Sequence, residues 1–197
     1  ITSYRSKYYK VADGVDELYI NNVKTQEEAN ALYSTGGYNN WPTAEVFAGN
    51  FDGNGVTIYG LMGGSSFVKK MDGTHAAIKN VHFKAAHIES GSYAAVVTTN
   101  FGTYGYGYTP AVGASTIWFN RVEDPTTGEK VNNYLIANVS VTESYIKSTL
   151  TGSNGNATAG GIVVLTTTPP FVTMKNCFFD GVSSALIDGT AGAGANT

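Results

Sequence analysis

The segment NVHFKAAHI, residues 80–88, aligns without a gap on NVSVTESYI, residues 138–146. Both open on Asn, alternate apolar and polar positions, and return to an Ile. Alternation with period two, rich in Val, Ile, Phe and Thr, reads as short half-buried strands. The likeness continues downstream, where SYAAVVTT (92–99) answers TAGGIVVLTT (158–167) after the longer polar insertion KSTLTGSNGN.

Working outward, four segments share the same entrance: VTIYGLMG from Val56, AAIKNVHF from Ala76, YLIANVSV from Tyr134 and VTMKNCFF from Val172. Each places Ile or Met two residues before a Gly or Asn. The markers Gly60, Asn80, Asn138 and Asn176 are separated by 20, 58 and 38 residues. These intervals are close to one, three and two times a step of about 20 residues, the size of a solenoid coil. A strand–turn unit of that size cannot bury an apolar face within itself and does so by stacking on its neighbour. The expected fold is therefore all-β, a right-handed parallel β-helix of about 20-residue coils. Roughly seven coils between Ala44 and Ile187, about 4.8 Å apart, would give a short rod.

One segment departs from the β pattern. In TQEEANALYST (25–35), Thr25 and Glu28 form a capping box, Ala29, Leu32 and Tyr33 share a face, and Gly36-Gly37 stop the helix. It is expected to cap the first coil. The chain divides into an N-terminal segment with this helix (1–43), a β-helix (44–188) with an insertion at about 100–133, and a Gly/Ala-rich tail (189–197).

Composition excludes several functions. Charged residues make up 14% of the chain and the formal net charge is −3, with no cluster of Lys or Arg of the kind that nucleic acid or an anionic membrane surface requires. No apolar run reaches the roughly 18 residues needed to span a bilayer, so membrane insertion is not expected. The single Cys177 permits no intramolecular disulfide and reads as a small buried hydrophobe. The opening ITSYRSKYYK has no Met and no charged-then-apolar leader, and reads as part of a processed or excised precursor.

The stretch FAGNFDGNGVTIYGL (47–61) resembles the entry segment of GLUG-type repeats, which run from an aromatic and a Gly through Phe-Asp-Gly-Asn-Gly into a Thr-Ile strand. Residues 65–102 are similar to the body of such a repeat, although its Gly-Leu-x-Gly signature is replaced by SSFV at 65–68 and AAVV at 94–97. The resemblance covers about residues 44–182. It implies a β-helical fold in a bacterial surface or secreted protein, often beside adhesion modules, and carries no catalytic residue to transfer.

Several polar residues are candidates for chemistry. Asp52 and Asn54 could offer oxygens to Ca²⁺, but one copy of Asp-Gly-Asn-Gly makes a tight bend more readily than a stacked ligand set. Asn80, Asn138 and Asn176 hold equivalent places and are expected to form an amide ladder. The carboxylates show no Asp-x-Asp or Asp-Asp pair of the sort a glycan-cleaving β-helix uses. His75, His82 and His87 bunch together without converging on one face, and read as solvated strand-face residues. No catalytic residue, metal site or cofactor is expected. The strongest contact candidate is TYGYGYTP (103–110), where Tyr104, Tyr106 and Tyr108 at period two would present three rings to one side, joined in the same insertion by Trp118 and Arg121.

These features point to a non-catalytic extracellular structural or adhesive module of a bacterial surface protein or assembly. Its expected partners are protein subunits or glycans, and assembly is expected through the C-terminal end as a homo-oligomer. The alternatives are a phage tail or capsid-decoration protein, and a carbohydrate-binding or polysaccharide-cleaving module.

Overall fold

A computed structural model describes residues 7–72, 76–102, 121–123, 128, 130–132, 134–151, 157–164, 172–188 and 195–196. Its elements in chain order are β1 (Tyr8–Lys10), β2 (Glu17–Tyr19), α1 (Gln26–Thr35), β3 (Asn50–Tyr59), β4 (Met62–Gly63), β5 (Ala77–Lys84), β6 (His87–Ser90), β7 (Tyr93–Ala95), β8 (Arg121–Glu123), β9 (Lys130–Asn132), β10 (Tyr134–Thr151), β11 (Ala157–Gly160), β12 (Val172–Asp188) and β13 (Ala195–Asn196). The protein is all-β apart from one helix. Among the described residues its strands pair in parallel except β8 with β9, which pair antiparallel.

The main sheet runs β1-β3-β5-β10-β12, with β2 on β3 and with β4 and β6 continuing it beside β10. Its register explains the repeat. Phe51 pairs with Ile78, Ile78 with Ile136 and Ile136 with Met174, making one column of apolar side chains. Val56, Val81, Val139 and Cys177 make a second column, and Ile58, Phe83, Val141 and Phe179 a third. Phe83, Val81, Ile78, Ile136 and Val141 are fully buried in one continuous core. A second parallel sheet, β7-β11-β13, and the bridges Ala44–Val68–Thr98–Val163 repeat the order on other faces.

The expected period needs correction. Asn80 and Asn138, 58 residues apart, lie on directly adjacent strands, as do Asn138 and Asn176, 38 residues apart. Each long interval joins neighbouring strands of the stack, and is not a multiple of a 20-residue coil. The first marker also moves, from Gly60 to Asn54. Asn54, Asn80, Asn138 and Asn176 all adopt left-handed backbone, with φ of 52 to 54°, a region that Asn tolerates better than other side-chain-bearing residues. Gly60, Ala85 and Glu143, at φ of 68, 53 and 50°, mark a second corner row.

The amide ladder is present and has an acidic end. Asn176 Nδ2 donates to Asn138 Oδ1 (3.0 Å), Asn138 Nδ2 to Asn80 Oδ1 (2.7 Å), and Asn80 Nδ2 to Asp52 Oδ1 (2.9 Å). The Asp-Gly-Asn-Gly stretch produces that ending. Between paired positions β5 has only Asn80, where β3 has Gly53, Asn54 and Gly55. This wide bulge turns Asp52 into the ladder and leaves Asn54 Nδ2 to reach Asp13 Oδ1 at 2.9 Å. Gly53 cannot be replaced without a shift, because a Cβ there would lie 2.5 Å from the Asn80 carbonyl oxygen.

The N-terminal segment and the tail also differ from expectation. β1 and β2 pair in parallel with β3, so the stack begins at Tyr8 and not at Ala44. The helix has the expected box: Thr25 Oγ1 accepts from Glu28 N, the Glu28 carboxylate accepts from Thr25 N, and Gly36 closes the end at φ 70°. It does not cap an end. Ala29 and Leu32 pack with Val23, Met62 and Ala85 on the flank of the stack. In the tail, β13 pairs with β11. Cys177 is half-buried against the core, and burial pushes its thiol pKa up.

Asn138 both occupies the left-handed corner and links two rungs. Asn138→Gly, which keeps the φ, should cost about 1–2 kcal/mol for two lost amide bonds, and Asn138→Ala about 1–2 kcal/mol more for the left-handed φ. Urea unfolding of both variants measures the difference; equal losses would show that the corner φ contributes nothing.

Candidate functional site

Tyr104, Tyr106, Tyr108 and Trp118 lie outside the described residues. Arg121 opens β8, whose backbone pairs antiparallel with β9, Arg121 opposite Asn132. His75 is also outside the described residues.

Two other assemblies draw side chains together. The first is an aromatic recess of about 590 Å³ lined by Tyr9, Trp41, Phe47, Phe51 and Phe67, with Glu45 among its lining residues. Pro42 favours extended backbone at Trp41, and the indole Nε1 donates to the Phe67 carbonyl at 2.8 Å. Thr43 Oγ1 donates to the Ser66 carbonyl at 2.8 Å, tying the same segment down. Phe67 is the hub. Trp41 stacks on it with centroids 5.1 Å apart, while Phe51 and Phe83 meet it edge-on, each at 5.2 Å. Glu45 is engaged by Lys69 at 3.0 Å and is solvent-exposed. The recess can therefore take an apolar or planar group and offers little to a charged one. Sequence reading did not single out these residues, because the rings come from four separate segments, and the only local signal is WPTAEVF at 41–47.

The second assembly surrounds His87, which corrects the solvated reading of that residue. His87 is buried between α1 and the sheet. Its ring stacks on Tyr33 with centroids 3.8 Å apart and meets Tyr145 at 4.9 Å. Nδ1 lies 2.7 Å from Asn30 Oδ1 and Nε2 lies 3.0 Å from Glu89 Oε1. Burial holds the His87 pKa below its ordinary value, against the opposing pull of Glu89 and with a smaller contribution from Lys147. A half-turn of the Asn30 amide then satisfies the neutral ring, with Nε2–H donating to Glu89 and the amide donating to Nδ1. Burial likewise pushes Tyr33 up to about 12, so its hydroxyl stays protonated. His82 is a different case. It is exposed, its Nδ1 lies 2.7 Å from Ser140 Oγ, and it faces away from Val81 and Phe83 as the alternation requires.

The carboxylates nearest these assemblies are committed to structural bonds. Asp52 accepts from Asn80, from the Asn54 backbone N–H and from Tyr8 Oη, and lies 3.4 Å from Lys79 Nζ. Burial raises its pKa, but these donors outweigh burial and hold it below the ordinary carboxylate value. Glu17 accepts from Tyr19 Oη at 2.7 Å and Tyr59 Oη at 3.2 Å. Asp72 pairs with Lys70 at 2.6 Å. Among the described residues no group of three or more His, Cys, Asp or Glu is placed to hold a metal ion, and no helix is long and apolar enough to cross a membrane.

Comparison with protein-family models, with curated proteins and with solved structures found no match to this chain.

The His87 cluster makes the helix–sheet contact sensitive to acid. The folded pKa lies below the ordinary 6.5, so the unfolded chain binds the proton first as the pH falls. The stabilisation from neutral His87 should be intact above about pH 6.5 and decline below it. Urea midpoints of the wild type should fall between pH 7.5 and pH 5.5, and those of His87→Gln should fall less; parallel declines would assign the acid sensitivity elsewhere.

Proposed function

We propose that this chain is a right-handed parallel β-helix that serves as a non-catalytic structural or adhesive module of an extracellular bacterial surface protein or assembly. The observation that carries this reading is the in-register parallel stack whose corner is tied by the Asp52–Asn80–Asn138–Asn176 ladder. Amide ladders need identical corners at one strand spacing, a geometry that successive coils of a solenoid supply. Parallel crossovers are right-handed in almost all known sheets, which sets the expected hand. The coils are unequal in length and not uniformly near 20 residues.

The non-catalytic part of the reading is supported by the occupation of the polar groups. Asp52, Glu17, Asp72 and Glu89 each hold a structural partner, and His87 is neutral and enclosed by rings. A low charge content with abundant Gly, Thr, Asn and Tyr fits an extracellular surface, and the GLUG-like stretch at 47–61 points the same way. The tyrosine-rich insertion is the proposed site of contact with a protein or glycan partner, through Tyr104, Tyr106 and Tyr108.

Replacing Tyr104, Tyr106 and Tyr108 together with Ala should leave the unfolding free energy from urea titration within about 0.5 kcal/mol of wild type while abolishing binding to the protein or glycan partner. Unchanged binding would remove that face from consideration. A screen of polysaccharides incubated with the wild-type chain should show no cleavage; released oligosaccharide would overturn the non-catalytic reading.

A further inference from the structure

Among the described residues, all the large apolar side chains that are strongly exposed lie on three strands. Tyr8, Leu18 and Tyr19 are on β1 and β2, and Met174, Phe178 and Val182 are on β12, each 41–57% exposed. Those strands are the two ends of the stack: among the described residues β1 and β2 pair only with β3, and β12 pairs only with β10. The exposed apolar surface is thus concentrated where the backbone also presents a strand edge, the combination that invites another strand.

We propose that a second copy of this chain docks head to tail, its β1 and β2 adding in parallel to the outer edge of β12. The inference rests on the stacked reading above and adds the partner. Its basis is that the side-chain columns stop at complementary residues. One column runs Tyr9, Phe51, Ile78, Ile136, Met174, and another Leu18, Ile58, Phe83, Val141, Phe179. Placing a second copy one strand spacing further on, about 4.8 Å, sets Met174 against the second copy's Tyr9 and Phe179 against its Leu18. Met174 brings a flexible unbranched side chain to the recess lined by Tyr9, Trp41 and Phe51, the kind of gap that Met fills well.

Charge favours the same register at one of its two ionic positions. Asp180 continues the column of Tyr19 and Tyr59, where Lys24 Nζ lies 5.6 Å from the Tyr19 ring centre. Lys175 continues the column of Lys10, whose ammonium is already paired with Asp13 at 2.7 Å. In the docked pair Asp180 meets Lys24, an attractive contact, while Lys175 falls opposite Lys10, a like-charge contact that Asp13 beside Lys10 offsets in part. A contact between different surfaces at the two ends does not close on itself, so it predicts open growth instead of a dimer.

Leu18→Glu blocks one end and Met174→Glu the other. Wild type should rise in mass with concentration in sedimentation velocity, each variant should remain monomeric, and an equimolar mixture of the two should form a one-to-one dimer and stop there. Far-UV circular dichroism and urea midpoints close to wild type confirm that the variants fold. A wild type that stays monomeric at millimolar concentration overturns the proposal and leaves the stacked fold intact, as would variants that self-associate as fully as wild type. An experimental structure in which Ile78, Ile136 and Met174 do not stack would instead overturn the fold reading beneath it.

Discussion

The constraint on which the fold depends is the left-handed corner, repeated on neighbouring strands and tied by side-chain amides. A residue with φ near +54° costs most L-amino acids about 1–2 kcal/mol, yet four passes of the chain adopt it at Asn54, Asn80, Asn138 and Asn176. Asn meets two needs at once. It tolerates the backbone conformation, and its amide carries one donor and one acceptor along the stacking direction. Once one corner is placed, the next is fixed in height and register, and the apolar columns on either side are fixed with it. At the acidic end Asp52 closes the series by accepting what an Asn would have accepted, with its charge held by Tyr8 and Lys79.

The second corner row shows the same geometry with less uniform chemistry. Gly60, Ala85 and Glu143 sit at positive φ, and only the first is the residue type that suits it. Their surroundings provide the compensation. Ala85 is buried with Met62, Ala29 and Val23, and Glu143 Oε2 lies 3.5 Å from the Gln26 backbone nitrogen at the helix start. α1 thus covers the less favourable corner along the flank, with Tyr33 and Asn30 anchored on His87. In β12 the corner is passed without the extra residue: Thr142 pairs with Asp180 and Ser144 with Gly181. A Cβ at Gly181 would lie 2.4 Å from the Ser144 carbonyl oxygen, so the closer approach requires Gly.

Much of this was legible in the chain. The Ile-x-Asn entrances at 78–80 and 136–138 stack as their alignment implies, and Val81 on Val139 and Ile88 on Ile146 follow from the same gapless match. The capping box at Thr25 and Glu28 formed because every group it needs lies within four residues. The spacing misled because stacking depends on strand register and not on the chain between strands. Closing a longer loop costs only about 0.6 kcal/mol for each doubling of its length, so steps of 58 and 38 residues stack as well as a step near 25. Gly60 reads as a repeat marker because Ile58-Tyr59-Gly60 imitates Ile78-Lys79-Asn80, although Ile58 stacks on Phe83 and Phe51 stacks on Ile78.

By itself the sequence determined the β class, the helix and its caps, the three ladder residues Asn80, Asn138 and Asn176, and much of the inward set of apolar side chains. All of these follow from local preferences or from period-two patterning. Only the tertiary structure decided which corner lies above which, that the helix lies on the flank and not over an end, and that His87 is enclosed. It also decided that Trp41, Phe51, Phe67 and Tyr9 form one recess. These depend on contacts between residues far apart in the chain, and their energy is set by stacking and burial that no single segment contains.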